Sequence, residues 1–386
     1  MDSQRKRIVI VSASIGTGHM QAAKAIQEYY EHTEPLAEVR HVDFFAKESL
    51  SLDMLIKETY IKLIDIFPMF YDVLYRMSQG EKQGNALQTI VSWLMKSRML
   101  KLVRQEKPDV LVFTHPFPCG AACILKRQRL IDVPIVGVIT DYTVHQFWVY
   151  PQVDRYCVGS NTLVQPLRES GIASEKIVVT GMPIRMAYWD RPLRDYYSGA
   201  PVKALVMGGG LGLGAIRDVL LQLDKVRGLD CITVVTGYNE DLYETIVEMK
   251  SHFRKSVEVL GYTSKVPALM KESSILLTKP GGLTCREATS VGLPMVFFSA
   301  IPGQEEGNAD LFVHLGCAKW AKHIDGLSKM VESIISDPAI LQAMSDASVH
   351  MQERGTERIA RVLRQLLWKE EEKATSLHKK VLDATK

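Results

Sequence analysis

No stretch of roughly 18 uncharged apolar residues occurs anywhere in this 386-residue sequence, so a membrane-spanning helix is not expected. The one apolar run near the start, Ile8 to Val11 after a basic N-terminus, is too short for a signal peptide and reads as a first strand. Cysteine is sparse: six are scattered, only Cys119 and Cys123 lie close together, and no CxxC or His-rich cluster points to zinc. That usage fits a reducing, cytoplasmic setting. A net charge of +3 gives no argument for a nucleic-acid partner. GxxxxGK[ST] is absent, which excludes a P-loop NTPase, and no Asp-x-Asp occurs to hold a metal and a diphosphate.

What is present describes a globular chain, 46% hydrophobic and 24% charged, and long enough for two domains. Short apolar runs bounded by turn residues read as buried strands: Ile8–Val11, Glu38–Val42, Val110–Phe113, Ile135–Ile139, Tyr156–Val158, Ile232–Thr236, Val257–Leu260, Ile275–Thr278 and Met295–Phe298. After the first of them, Gly16-Thr17-Gly18 leads into a segment with Ala22, Ala23, Ile26 and Tyr30 at helical spacing. Residues 202–223 repeat the strand–glycine–helix order around Gly208, Gly209, Gly210, Gly212 and Gly214, a loop suited to phosphate contact or to close approach of a domain. Two such units imply an α/β protein of two Rossmann-like domains facing across a cleft. Pro183, Pro192 and Pro201 break the rhythm between them. The expected organisation is a first domain over 1–185, a linker over 186–200, a second domain over 201–368 and a charged tail over 369–386.

The stretch 275–310 carries the densest chemistry. Gly281-Gly282 feeds a helix whose expected N-cap is Thr284, with Glu287 in the capping-box position. A glycine turn at a helix N-terminus suits a phosphate, and Glu287 could accept hydrogen bonds from vicinal hydroxyls such as those of a ribose. Gln304, Glu305 and Asn308 fall in an expected loop over 302–308 and are of the type that grips sugar hydroxyls; Lys279 offers charge for a diphosphate. The same residues also describe an ordinary capped crossover with a solvated acidic loop, but ligands in open α/β sheets sit at strand ends, where these lie. In the first half, His19 heads a helix whose dipole would favour the neutral imidazole, although a surface histidine near a cap has the same spacing. Thr114-His115-Pro116, Thr140-Asp141-Tyr142 with His145 and Trp148, and Ser160 end further strands; each alone is turn chemistry, and together they form one wall of a cleft. Gly16-x-Gly18 with Asp43 as a ribose acid is an incomplete dinucleotide fingerprint, lacking the third glycine. Residues 50–77 read as apolar helices broken at Pro68, followed by a helix from about Leu87 to Gln105 bearing Lys96, Arg98, Lys101 and Arg104. Such a pair suits attachment to an anionic leaflet, and core-packed helices with a solvated basic face are the alternative.

SIGTGH (14–19), TDYTVHQFW (140–148), GMPIR (181–185), TKPGGLTCREA (278–288), GLP (292–294) and PGQEEGNA (302–309) resemble the monogalactosyldiacylglycerol synthase and processive diacylglycerol glucosyltransferase family, of the GT-B fold. The resemblance covers nearly the whole chain. A related peptidoglycan lipid-linked GlcNAc transferase shares the C-terminal pattern, while TDYxxHxxW and the apolar helices favour the diacylglycerol branch. The resemblance implies inverting transfer of a hexose from UDP-glucose or UDP-galactose to diacylglycerol, with no cofactor and no metal at the reaction centre, by a peripheral protein on the cytoplasmic inner face of the cell membrane. By position it makes His19 the general base, with Asp141 and His145 in the same domain's motif. It places Glu287 on the ribose, the backbone near Tyr262 on uracil, Thr284 with Gly281-Gly282 on the diphosphate, and Gln304 and Glu305 on the hexose. The glycine-rich 208–214 loop looks closer to the galactosyltransferase branch, which leaves the donor sugar open. A UDP-sugar epimerase of the same architecture and a non-catalytic UDP-sugar sensor at membranes are the alternatives.

Overall fold

The apolar runs are uninterrupted because both of their faces are covered. Along the first strand, Val9 and Val11 enter one core with Leu111, Phe113, Ile135, Met95 and Met99, while Ile8 and Ile10 enter another with Val110, Val112, Ala23, Ile26 and Tyr30. A strand that must bury alternate side chains on opposite faces has no position left for a polar residue. The computed structural model in which this is seen describes residues 5–14, 17–34, 37–46, 81–144, 146–210, 212, 214–301, 304–349 and 353–368, with the side chains of 81–88 and Gln304 outside that description. The segment 50–77, expected to form apolar helices, lies outside the described residues.

Two six-stranded parallel sheets make up the protein. The first runs β2-β1-β3-β4-β5-β6, from β1 (Lys6–Ser12), β2 (Ala37–Asp43), β3 (Val110–Phe113), β4 (Ile135–Val138), β5 (Arg155–Val158) and β6 (Ile177–Val179). The second runs β12-β11-β10-β7-β8-β9, from β7 (Lys203–Met207), β8 (Cys231–Val235), β9 (Ser256–Leu260), β10 (Ile275–Thr278), β11 (Met295–Phe297) and β12 (Ala318–Trp320). Counted from β7, the second order is that of a dinucleotide-binding sheet. In each sheet the strand order reverses at one place, between β1 and β3 and between β7 and β10, and at those switch points ligands bind beyond the carboxyl ends. The edge strands β6 and β12, each three residues long, are too short to show a period in sequence.

Six helices build the site and its surroundings: α1 (Thr17–Thr33), α2 (Glu81–Glu106), α3 (Pro116–Arg127), α4 (Gly282–Ser290), α5 (Gln304–His314) and α6, residues 355–368. α5 begins inside the expected 302–308 loop. Glu305 and Glu306 in its first turn favour that start, since carboxylates are stabilised near a helix N-terminus. α6 follows the second sheet in the chain yet packs on the first. Its Ile359 and Leu363 are buried with Ile8, Ile10 and Ile26, and Tyr30 donates a 2.9 Å hydrogen bond to Ala360 O. Residues 181–184 are covered in turn by the returning chain, where Thr356 Oγ1 donates to Ile184 O at 2.7 Å.

Candidate active site at the meeting of two switch points

His19 stands in the first turn of α1, above the switch point between β1 and β3. Its Nδ1 lies 2.6 Å from Thr114 O and 3.0 Å from Thr140 Oγ1, and Thr114 Oγ1 donates to His19 O at 2.9 Å. A carbonyl oxygen only accepts, so the hydrogen-bond network places the proton on Nδ1 and leaves the Nε2 lone pair without a partner among the described residues. Burial pulls the imidazole pKa down to about 4, against the opposing pull of the Thr114 carbonyl. The ring is therefore neutral near pH 7 and competent as a base. Desolvation, the first cause of this shift, does what the helix dipole was expected to do. The His115 ring packs edge-on 4.6 Å away; it is buried, and its Nδ1 accepts from Phe117 N as the N-cap of α3. Asp141 follows Thr140 and is half-buried, but the hydrogen bonds to the His19 ring come from Thr114 and Thr140. His145 lies outside the described residues. Asp43 is no ribose acid: its Oδ1 accepts from Ser14 N and Phe45 N, both at 3.0 Å, and ties down the loop that leads to α1.

Across the cleft, α4 opens at Gly282, with Gly281 as N-cap and no side-chain cap. The expected capping box therefore does not form. Thr284 is inside the first turn, half-buried, and the first-turn N–H groups have no side-chain cap among the described residues. Glu287, which the capping box would have turned towards the helix start, is instead buried beside Tyr188, with which it shares a hydrogen bond, and near Arg185. Burial pushes its carboxyl up to about 8, against the lowering effects of Tyr188 and Arg185. Lys279 is paired with Glu305 at 3.1 Å, and Glu305 Oε2 also accepts from Ile301 N at 2.9 Å. Both side chains are therefore already engaged with each other. Asn308, buried on α5, donates from Nδ2 to Pro280 O at 3.0 Å, while its Oδ1 has no partner among the described residues. Gln304 opens α5 in the same neighbourhood. Tyr262 stacks on Tyr238 with ring centroids 4.2 Å apart and planes 13° from parallel, and both rings are exposed. Sequence reasoning missed Tyr238. The Gly-Tyr pair repeated at the ends of β8 and β9 (237–238 and 261–262) is a signal for it.

Two backbone approaches join the halves at the cleft. Gly210 N donates to Thr17 Oγ1 at 3.3 Å, and a Cβ at Gly210 would come within 2.2 Å of Thr17. Of the roles open to the glycine loop, close domain approach is thus realised at Gly210, with Gly208 and Gly209 (φ +75°) leading into it. At the second point, a Cβ on Gly282 would stand 2.8 Å from Thr140 O. Thr140 thereby joins the base to the uncapped helix head, its hydroxyl on His19 and its carbonyl against Gly282.

Known proteins match both halves. The profile of the monogalactosyldiacylglycerol (MGDG) synthase family matches residues 19–184, and that of the glycosyltransferase family 28 C-terminal domain matches residues 203–382. A processive diacylglycerol beta-glucosyltransferase of Bacillus cytotoxicus is 28% identical over 351 residues, 88% of each chain. From end to end, then, the chain is similar to the MGDG synthase and processive diacylglycerol glucosyltransferase family. Solved structures share the expected GT-B fold. MurG of Acinetobacter baumannii superposes with a TM-score of 0.60 at 14% identity, covering 93% of this chain and 99% of its own. A UDP-N-acetylglucosamine 2-epimerase superposes with a TM-score of 0.59 at 16% identity, covering 95% and 97%. At such identities the likeness concerns the fold alone.

If Thr140 O and Gly282 set the spacing of the cleft, Gly282→Ala must push them apart, because backbone cannot give way as a flexible side chain can. The expected result is faster amide hydrogen exchange at 139–142 and 281–285 with little change in melting temperature. Unchanged exchange would show that the contact is slack.

Proposed function

We propose that the protein is an inverting glycosyltransferase that moves a hexose, glucose or galactose, from a UDP-sugar to the hydroxyl of diacylglycerol. The observation that carries this reading is the neutral His19 imidazole with a free Nε2, joined through Thr140 to the uncapped head of α4. A diphosphate at that helix head would meet backbone N–H groups and the positive end of the helix dipole. Nε2 takes the proton of the lipid hydroxyl as its oxygen bonds to the anomeric carbon. The bond from that carbon to the diphosphate breaks, and the charge of departing UDP develops at the α4 head. Lys279 can add its charge once it exchanges Glu305 for phosphate, which frees Glu305 for a sugar hydroxyl. Asn308 Oδ1 supplies a further acceptor there, Glu287 takes the ribose hydroxyls, and Tyr262 marks the uracil end. The activity that names the Bacillus relatives and the name of the N-terminal family support diacylglycerol as acceptor. No metal has a step in this proposal.

The acceptor must come from a membrane, and α2 supports contact with one. Ile90, Trp93 and Leu94, at helical spacing on one face, are 56%, 60% and 58% exposed. Lys101 and Arg104 follow on the same helix and are exposed as well, while Met95, Met99 and Leu102 face the core. An apolar stripe with adjacent cations fits the headgroup region of an anionic leaflet, here the inner face of the cell membrane. No helix among the described residues is long and apolar enough to cross the bilayer.

The deciding assay incubates the purified protein with labelled UDP-glucose or UDP-galactose and liposomes containing diacylglycerol. Glycolipid is expected with at least one donor, in EDTA as well as without it. His19→Ala should lower turnover by roughly 10²–10⁴-fold with UDP affinity nearly intact. No glycolipid from either donor would refute the reading.

A proton linkage follows from Glu287. Its carboxyl is protonated below about pH 8, and gripping two ribose hydroxyls requires the carboxylate. UDP binding near pH 6.5 should therefore release a proton, the release should vanish near pH 9, and Glu287→Gln should abolish it. Calorimetry in buffers of different ionisation enthalpy measures this, and proton release that persists in Glu287→Gln would return Glu287 to a purely structural role.

Flotation with anionic liposomes is expected to weaken as salt rises, and Trp93→Ala with Leu94→Ala should abolish it. Binding indifferent to both would leave α2 a solvated surface helix.

A further inference from the structure

α1 carries His19 on one side and a second, polar face on the other. Thr17, Gln21, Lys24 and Glu28 are spaced four, three and four residues apart, which aligns them in one stripe. Thr17, Gln21 and Glu28 meet the second domain or the connection to it. Thr17 Oγ1 accepts from Gly210 N at 3.3 Å. The Tyr262 hydroxyl shares hydrogen bonds with Tyr238 and with Gln21. Glu28 accepts from Arg185 Nε at 2.7 Å. The apolar face of α1, with Ala22, Ala23, Ile26 and Tyr30, is packed on the first sheet and on α6, on the far side of the helix from the glycine loop and Tyr262.

We propose that Thr17 and Gln21 are positioning residues, which register α1, and with it His19 Nε2, on the nucleotide-loaded donor domain. The inference rests on the glycosyltransferase reading above and goes beyond it. The geometry argues for registration as well as adhesion. Thr17 is two residues from His19 in the same helical turn, so a shift of its contact is passed on to the ring. Its partner is a main-chain N–H reachable only because position 210 lacks a Cβ. Gln21 contacts Tyr262 at the uracil end, and stacking on Tyr238 holds the Tyr262 ring so that the direction of its hydroxyl is set. The stripe thus touches the glycine loop and the nucleoside end, the two parts of the donor domain that a bound UDP would order. Misplacement of a reacting group by about 1 Å can cost roughly 10²-fold in rate, so two hydrogen bonds that remove this slack affect turnover more than affinity.

The test separates turnover from binding. Thr17→Val with Gln21→Leu keeps side-chain volume and removes both hydrogen bonds. At saturating UDP-hexose and diacylglycerol, kcat is expected to fall roughly 10- to 100-fold while the Kd for UDP stays within about threefold, and Thr17→Ser, which keeps the hydroxyl, should retain turnover. Unchanged kcat, or UDP affinity lost in proportion to kcat, would overturn the inference. A second measurement needs no acceptor: UDP alone should slow amide hydrogen exchange over 17–28 in the unmodified protein and not in the double variant. Protection that survives the double substitution, or that UDP never produces, also overturns it. A protein that shows the UDP-dependent protection but makes no glycolipid would instead fail the glycosyltransferase reading, so the two failures are distinct.

Discussion

Thr140 faces both substrates' halves of the cleft at once. Its hydroxyl holds the Nδ1 side of His19, and its carbonyl lies against the position where α4 begins. That double contact requires that position 282 carry no side chain, that the ring of His19 be turned by Thr114 on its other flank, and that the switch points of two separate sheets face each other. Each requirement is met by a short piece of backbone placed at the carboxyl end of a parallel strand. Parallel strands end in register on one side of a sheet, which is why residues 19, 114 and 140 converge although they are far apart in the chain.

The same closeness sets the electrostatics. His19 and Glu287 are buried between two packed domains, and burial disfavours whichever form of a group is charged. His19 is pushed down to about 4 and Glu287 up to about 8, so both are neutral in the empty protein near pH 7. Lys279 and Glu305, the charged pair at the site, neutralise each other. A ligand bearing a diphosphate would meet His19 and Glu287 in suppressed form, Lys279 and Glu305 paired, and the first turn of α4 without a side-chain cap among the described residues.

The two domains are further joined by chain that returns. α6 leaves the second domain and completes the core under β1, with Ile359 and Leu363 buried beside Ile8 and Ile10. Together with Arg185 on Glu28, this makes α1 a helix with neighbours from both halves: its own sheet and α6 beneath, and the glycine loop, Tyr262 and the connection alongside. The residue with a free lone pair is carried on that shared helix.

Strand identity, the two-domain organisation and the location of the chemistry at strand ends are readable in the sequence, because they depend on local patterns: apolar runs buried on both faces, glycine turns before helices, prolines at the junction. The resemblance of the TKPGGLTCREA and PGQEEGNA segments to a known family points to the same places. What the sequence could not decide is which partner each side chain takes. Glu287 fits a capping box by spacing, yet Gly281 caps the helix and Glu287 turns to Tyr188, a residue 99 positions away in the chain. Asp43 has the spacing of a ribose acid and serves its own loop; Lys279 and Glu305 look like two ligand groups and are bonded to each other. Thr17 and Thr140 stand in motifs the sequence displays, but their partners, like that of Tyr188, depend on contacts between segments about a hundred or more residues apart. Sequence patterns record which face of an element is buried; only the packing of one domain on the other decides what is buried against it.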